Sequence, residues 1–268
     1  MLKKIGLIVV LSLFITISGF CTGTLEKGNG DIVTIERPVS SSFKGVLLRG
    51  QAEVNIFQSE DVRISVTIDS NLQEYIQTDI INGVLEINTR TSDKLKPKVN
   101  RIDIYSPIFS YLALSGSGNI LFPDKINGET LRLDISGDGR ITGELGYSNL
   151  TANISGKGKI ILTGKSQSVY FGLSGSGNFE CEELEINDAV VEISGAGGVR
   201  INVINSLHGS ISGVGNIKYR GNPIITFDKS GIGRISTLNW IKNKIIIMGG
   251  TAHNEAVGKV PNAPIKEI

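Results

Sequence analysis

A seven-residue unit, apolar-Ser-Gly-x-Gly-x-apolar, recurs seven times in this 268-residue chain, and no other feature restricts its fold so tightly. The copies begin at Leu114, Ile135, Ile154, Leu173, Ile193, Ile211 and Lys229, the last opening on Lys instead of an apolar residue. Their fixed positions are Ser115, Gly116, Gly118; Ser136, Gly137, Gly139; Ser155, Gly156, Gly158; Ser174, Gly175, Gly177; Ser194, Gly195, Gly197; Ser212, Gly213, Gly215; and Ser230, Gly231, Gly233. Successive serines lie 21, 19, 19, 20, 18 and 18 residues apart. A repeat of this length in which no unit can bury its own apolar face is the mark of a stacked architecture.

The positions flanking the motif say what the unit builds. Three residues before each Ser stand Leu112, Leu133, Ala152, Phe171, Val191, Gly209 and Phe227, and five after it stand Ile120, Ile141, Ile160, Phe179, Val199, Ile217 and Ile235. Between the dry columns, two before each Ser, lie Ala113, Asp134, Asn153, Gly172, Glu192, Ser210 and Asp228. Alternation of period two with one dry face is a strand pattern. Two glycines per unit would each cost about 1 kcal/mol inside a helix. The reading is therefore an all-β chain, a right-handed parallel β-helix (β-solenoid) of 18–21 residues per coil, with about three short strands per turn. A left-handed helix of hexapeptides needs an apolar residue every six. Stepping from Ile193 through Val199 reaches Asn205, so that pattern fails. The glycines are assigned to corners or close approaches between coils, and the Ser column to a hydrogen-bonded ladder.

Outside the repeat the chain is less regular. Leu48-Arg49-Gly50-Gln51-Ala52-Glu53-Val54 is a worn copy of the motif. Residues 32–112 read as wider, irregular coils or as a strand-rich lobe continuous with the solenoid, and residues 113–240 as the regular coils. Residues 241–268 read as a cap and loose tail, in which Lys244–Gly250 could form a last degenerate coil.

Lys3 and Lys4 followed by the apolar run Ile5 to Ile17 have the form of a signal peptide, assigned to residues 1–21. The run is shorter than the roughly 20 residues of a permanent membrane helix. Ser18-Gly19-Phe20-Cys21 resembles a lipobox, which makes Cys21 a lipidation candidate and residues 22–31 a polar tether. Phe20 stands where a small residue is usual, so ordinary cleavage near Cys21 or Gly23 is the competing reading. The only other cysteine, Cys181, reads as a small buried apolar residue, because two cysteines so placed make no disulfide framework. A formal charge of +1 and the lack of a basic run give no pull toward nucleic acid.

The unit carried by Leu114–Ile120 and its near-twin Leu173–Phe179, with Phe43-Lys44-Gly45-Val46 and Val54-Asn55-Ile56 upstream, resembles the auto-transporter adhesin, head GIN domain family of bacterial envelope proteins. The resemblance spans about residues 32–240. It implies a right-handed β-solenoid, export, often as a lipoprotein, to the outer membrane, the periplasm or the cell surface, and no catalytic residues.

The residues themselves offer two functional readings. Four after each Ser stand Asn119, Arg140, Lys159, Asn178, Gly198, Asn216 and Arg234, a polar, partly basic ladder suited to an extended glycan or protein surface. A solubilising face explains the same column. The first reading is thus a non-enzymatic envelope adhesin or scaffold, with no cofactor, no metal, and membrane contact only through the Cys21 lipid. The second is a polysaccharide-cleaving enzyme, since paired carboxylates can sit on such a face. Its candidates, Asp134, Glu192 and Asp228, would stand three and two coils apart, about 14 and 10 Å. The two histidines, His208 and His253, form no triad or metal cluster with them, and His208 is expected at the surface.

Overall fold

A computed structural model describes residues 25–89, 94–238 and 266–267. In chain order the strands are β1 (Leu25–Lys27), β2 (Ile32–Arg37), β3 (Gly45–Arg49), β4 (Glu53–Gln58), β5 (Arg63–Asp69), β6 (Ile76–Ile81), β7 (Val84–Thr89), β8 (Lys94–Lys96), β9 (Asn100–Ser106) and β10 (Tyr111–Leu114). The repeats supply β11 (Asn119–Ile135), β12 (Arg140–Ile154), β13 (Lys159–Leu173), β14 (Asn178–Ile193) and β15 (Gly198–Ile211). The end holds β16 (Asn216–Arg220), β17 (Ile224–Lys229), β18 (Arg234–Thr237) and β19 (Lys266–Glu267). A short 3-10 helix, Ser70–Tyr75, sits between β5 and β6.

The repeats stack as a parallel β-solenoid. Ile135 lies opposite Ile154, Ile154 opposite Leu173, Leu173 opposite Ile193 and Ile193 opposite Ile211. A second column runs Ile120, Ile141, Ile160, Phe179, Val199, Ile217 and Ile235, buried throughout except for the half-buried last member. In the column Ala152, Phe171, Val191, Gly209, Phe227, large and small residues alternate, so neighbouring rungs interlock. A Cβ on Gly209 would stand 2.9 Å from the Phe227 ring.

From β11 to β15 each coil is one long strand rather than three short ones, broken at the Ser-Gly-x-Gly turn; the next coil is split again at residues 221–223, between β16 and β17. The corners survive as slips in the burial phase. Along β14, Phe179 and Cys181 face inward, then Leu184 and Ile186, then Ala189, Val191 and Ile193. Each step of three in place of two turns the chain onto a new wall. Coils of unequal length are absorbed at the same places, between Cys181 and Glu185 and between Ile186 and Asp188.

The motif glycines are there for close approach, not for unusual backbone angles. None of them has a positive φ. A Cβ on Gly137 would lie 1.9 Å from the Gly116 carbonyl oxygen, and one on Gly139 would meet the Gly118 oxygen at 2.2 Å and Leu114 at 2.6 Å. The turns therefore stack backbone on backbone. The ladder expected of the serines runs through their amides instead: the Ser136 N–H donates to Leu114 O, that of Ser155 to Ile135 O and that of Ser174 to Ile154 O. The hydroxyls belong to exposed residues, and only the long 3.5 Å contact from Ser115 to Leu48 O joins one of them to a neighbouring rung.

The N-terminal part departs from chain order. The worn motif is a true rung: Ser115 and Ser117 donate their amides to Leu48 and Gly50, and β3 and β4 lie beneath β10 and β11. Beneath that rung lie β7 and β9, parallel to β3 and β4, although they follow them in sequence. The chain thus lays the second rung before the first, and then returns to the third. Antiparallel strands close this end, β6 against β7 and β5 between β2 and β9.

The 22–31 stretch is not a tether throughout. β1 pairs with β8, and the Asp69 carboxylate, shielded from solvent, accepts the amides of Gly30 (2.7 Å) and Lys98 (2.8 Å). Asn71 donates its side-chain amide to Lys27 O, and Asn29 donates to Ser70. Sequence composition alone hid this, because a polar stretch bonded by polar side chains looks like a linker. Cys21 and Lys244–Gly250 lie outside the described residues, as does His253; β19 pairs with β17 at Thr226 and Phe227.

Candidate functional site

The predicted ladder is continuous. Asn119 stands opposite Arg140, then follow Lys159, Asn178, Gly198, Asn216 and Arg234, each in register with the next. It also extends downward through Glu53 to Arg101. All of the long side chains in it are exposed or half-buried. They point outward because Ile120, Ile141, Ile160, Phe179, Val199 and Ile217, one residue on, point in.

The neighbouring column on the same wall reads Leu121, Thr142, Ile161, Glu180, Arg200, Lys218 and Ser236. Glu180 is the hub of an ion-pair cluster, 2.8 Å from Lys159 and 3.1 Å from Arg200. The hydrogen bond from Lys159, with Arg200 close by, holds its carboxyl below the ordinary value despite partial burial. Arg200 also reaches Glu182 at 3.1 Å. This cluster was not foreseen, because it joins Lys159 of the ladder to Glu180 and Arg200 of the neighbouring column, across rungs. Lower on the wall, Asn55 donates to Asp103 at 2.7 Å.

The carboxylates considered for catalysis occupy another outward column, Asp134, Asn153, Gly172, Glu192, Ser210 and Asp228. Asp134 is held by Arg132 at 2.7 Å and by the Asn153 amide at 2.9 Å. Glu192 accepts the Tyr170 hydroxyl at 2.7 Å, and partial burial together with that bond raises the Tyr170 phenol. The in-register stack keeps Asp134 and Glu192 three rungs apart and Glu192 and Asp228 two. Asp134 and Glu192 are each already committed to a neighbour. His208 is exposed on the adjoining column, opposite Val190 and Thr226.

Cys181 is buried in the core, and burial pushes its thiol far up from its ordinary value, which suits an inert apolar filler. Tyr147 is likewise internal: it donates to Phe109 O at 2.8 Å, and burial pushes its phenol up to about 12. Among the described residues, no three of His, Cys, Asp and Glu converge as metal ligands, and no helix is long and apolar enough to cross a membrane.

Fold and wall together define the class: a parallel β-solenoid whose ordered feature is an outward array of polar side chains. Residues 42–223 match the family described as "Putative auto-transporter adhesin, head GIN domain", and the chain belongs to that family. Solved structures share the fold. A putative adhesin of Bacteroides fragilis is 24% identical with a TM-score of 0.75, over 79% of this chain and 99% of that one. A putative adhesin of Parabacteroides distasonis is 18% identical with a TM-score of 0.67, over 80% and 100%. A putative lipid binding protein of Parabacteroides distasonis is 23% identical with a TM-score of 0.64, over 81% and 100%. No curated protein matches the sequence.

Proposed function

We propose that this chain is an exported, non-enzymatic envelope protein that engages an extracellular glycan or protein surface through the wall carrying Asn119, Arg140, Lys159, Asn178, Asn216 and Arg234. The observation that carries the reading is the unbroken register of that column from rung to rung. Polar groups held at a repeat of about 4.8 Å on a rigid sheet are pre-ordered, so little side-chain and backbone freedom is lost when an extended partner lies along them. Adhesin-like relatives on the same fold support it. Export rests on the signal-peptide pattern of residues 1–21, and Cys21 is the proposed site of a membrane anchor.

The test is binding of the purified mature chain to glycan and protein arrays, with Arg140→Glu/Lys159→Glu as the wall variant. Ligands retained by wild type and lost by the variant are expected. Array binding untouched by that variant would move the function to another face. Fatty-acid labelling of cells is expected to mark the wild type and not Cys21→Ala, and label persisting in the variant would remove the anchor. The enzymatic alternative predicts turnover of a polysaccharide that Glu192→Gln abolishes. The committed, separated carboxylates argue against it.

A further inference from the structure

One rung of the wall lacks a side chain. At Gly198 the ladder has a notch between Asn178 and Asn216, and the surface sinks there into a depression of about 250 Å³. The fold does not require this glycine. Its φ is not positive, and a Cβ placed on it would meet first the tip of the Asn178 side chain at 3.2 Å, then the Asn216 carbonyl at 3.9 Å. The contrast with its neighbour is sharp: a Cβ on Gly197 would lie 2.0 Å from the Gly177 carbonyl oxygen. Gly197 is there for stacking, and Gly198 is there without a structural need.

The groups around the notch share a chemistry. Asn178 uses its side-chain oxygen to accept the Gly198 N–H at 3.0 Å, and the same oxygen is the atom nearest the missing side chain. Arg200 and Lys218 line the same depression, and through Asn216 and Lys218 it runs on into a wider opening beside Arg234. Arg200 is paired with Glu180 and Glu182, but no carboxylate lies within ion-pair distance of Lys218 or Arg234 among the described residues. Neither opening is lined by a carboxylate or by an exposed aromatic ring. At the opposite end the same wall carries Glu53 and Asp103. An uncharged sugar would find no stacking platform here, whereas a carboxylate on a polymer would find cations in a row, with asparagine side chains beside them for its hydroxyls.

Building on the wall as the binding face, we propose that the Gly198 notch, with Asn178, Asn216, Lys218 and Arg234, is a subsite for the carboxylate-bearing residues of an acidic polysaccharide. The pyranose edge occupies the space left by the missing side chain, Lys218 and Arg234 neutralise the carboxylates, and the two asparagines take the hydroxyls. The apolar residues Val214 and Ile232 rim the wider opening.

Polygalacturonate is the probe, with dextran as the neutral polymer and vesicles of phosphatidylglycerol as the competing anionic surface. Wild type is expected to bind polygalacturonate and not dextran, more weakly as salt rises. Gly198→Asn, which restores the ladder side chain, and Lys218→Gln/Arg234→Gln are each expected to weaken it about tenfold or more. Both variants are to be checked for unchanged melting. Polygalacturonate binding unchanged in both variants overturns the subsite, and so does no binding by wild type. Vesicle binding with the same sensitivity to the variants overturns it in favour of lipid headgroups. Array ligands lost by Arg140→Glu/Lys159→Glu but kept by Gly198→Asn remove the notch and keep the wall; no array ligand at all removes both.

Discussion

The regular coils from Asn119 onward and the N-terminal rungs are built from the same strand geometry but are held together differently. In the coils the core contacts are repeated: one apolar residue sits on its counterpart one rung below, and motif glycine sits on motif glycine. In the N-terminal part the contacts occur once. Gln73 donates to Val33 O and Val66 O, both at 3.0 Å, and accepts Arg37 at 2.7 Å, tying β2, β5 and the 3-10 helix together. Asp69 gathers the amides of Gly30 and Lys98. Repetition spreads the load over many equivalent sites, whereas a closing cap concentrates it on a few buried polar groups, each costly to orphan.

The comparison breaks first at the glycines. Gly197→Ala forces a side chain into the Gly177 carbonyl and is expected to cost at least about 3 kcal/mol in denaturant melts. Gly198→Ala, one residue on, is expected to stay within about 1 kcal/mol of wild type, because only a side-chain tip has to move. Equal costs at the two positions would mean that the coils do not stack backbone on backbone. For the cap, Gln73→Leu leaves two strand carbonyls and the Arg37 guanidinium short of a partner, and a loss of about 2 kcal/mol is expected. An unchanged melt would show that the cap is not held by its polar set.

The Asp69 clasp gives a smaller, pH-dependent effect. Burial works to raise its carboxyl, but the amides of Lys98 and Gly30 outweigh it, and the net shift is downward. A carboxyl lowered in the folded state stabilises above its unfolded value of about 3.9, and that contribution fades as pH falls through the lowered folded value. Hydrogen exchange at Gly28–Asp31 is thus expected to rise, relative to the solenoid amides, below about pH 4. In Asp69→Asn it is expected to be raised already at neutral pH and to lose that dependence. Smallest of all, Arg200→Gln removes two half-exposed ion pairs and is expected to change stability by less than about 1 kcal/mol.

The same division explains what could be read from sequence. Columns such as Ile135, Ile154, Leu173 and Ile193 were visible because a seven-fold repeat superimposes its own evidence. The ladder from Asn119 to Arg234 followed from the same alignment. The Lys159–Glu180–Arg200 cluster did not, since it crosses columns. Nor did the swapped order of the first two rungs, because β7 and β9 pair with β3 and β4 without any motif of their own. The binding of Gly30 and Lys98 to Asp69 was equally hidden: a contact made once leaves no period.

The central claim is that successive coils lie one directly above another, and pulsed electron resonance between nitroxide labels measures it. Labels on Asn119→Cys paired with Asn216→Cys and with Arg234→Cys span five and six rungs. Distances of about 24 and 29 Å, differing by one strand spacing of about 4.8 Å, are expected. Equal distances, or a shorter one for Arg234→Cys, would contradict the stack.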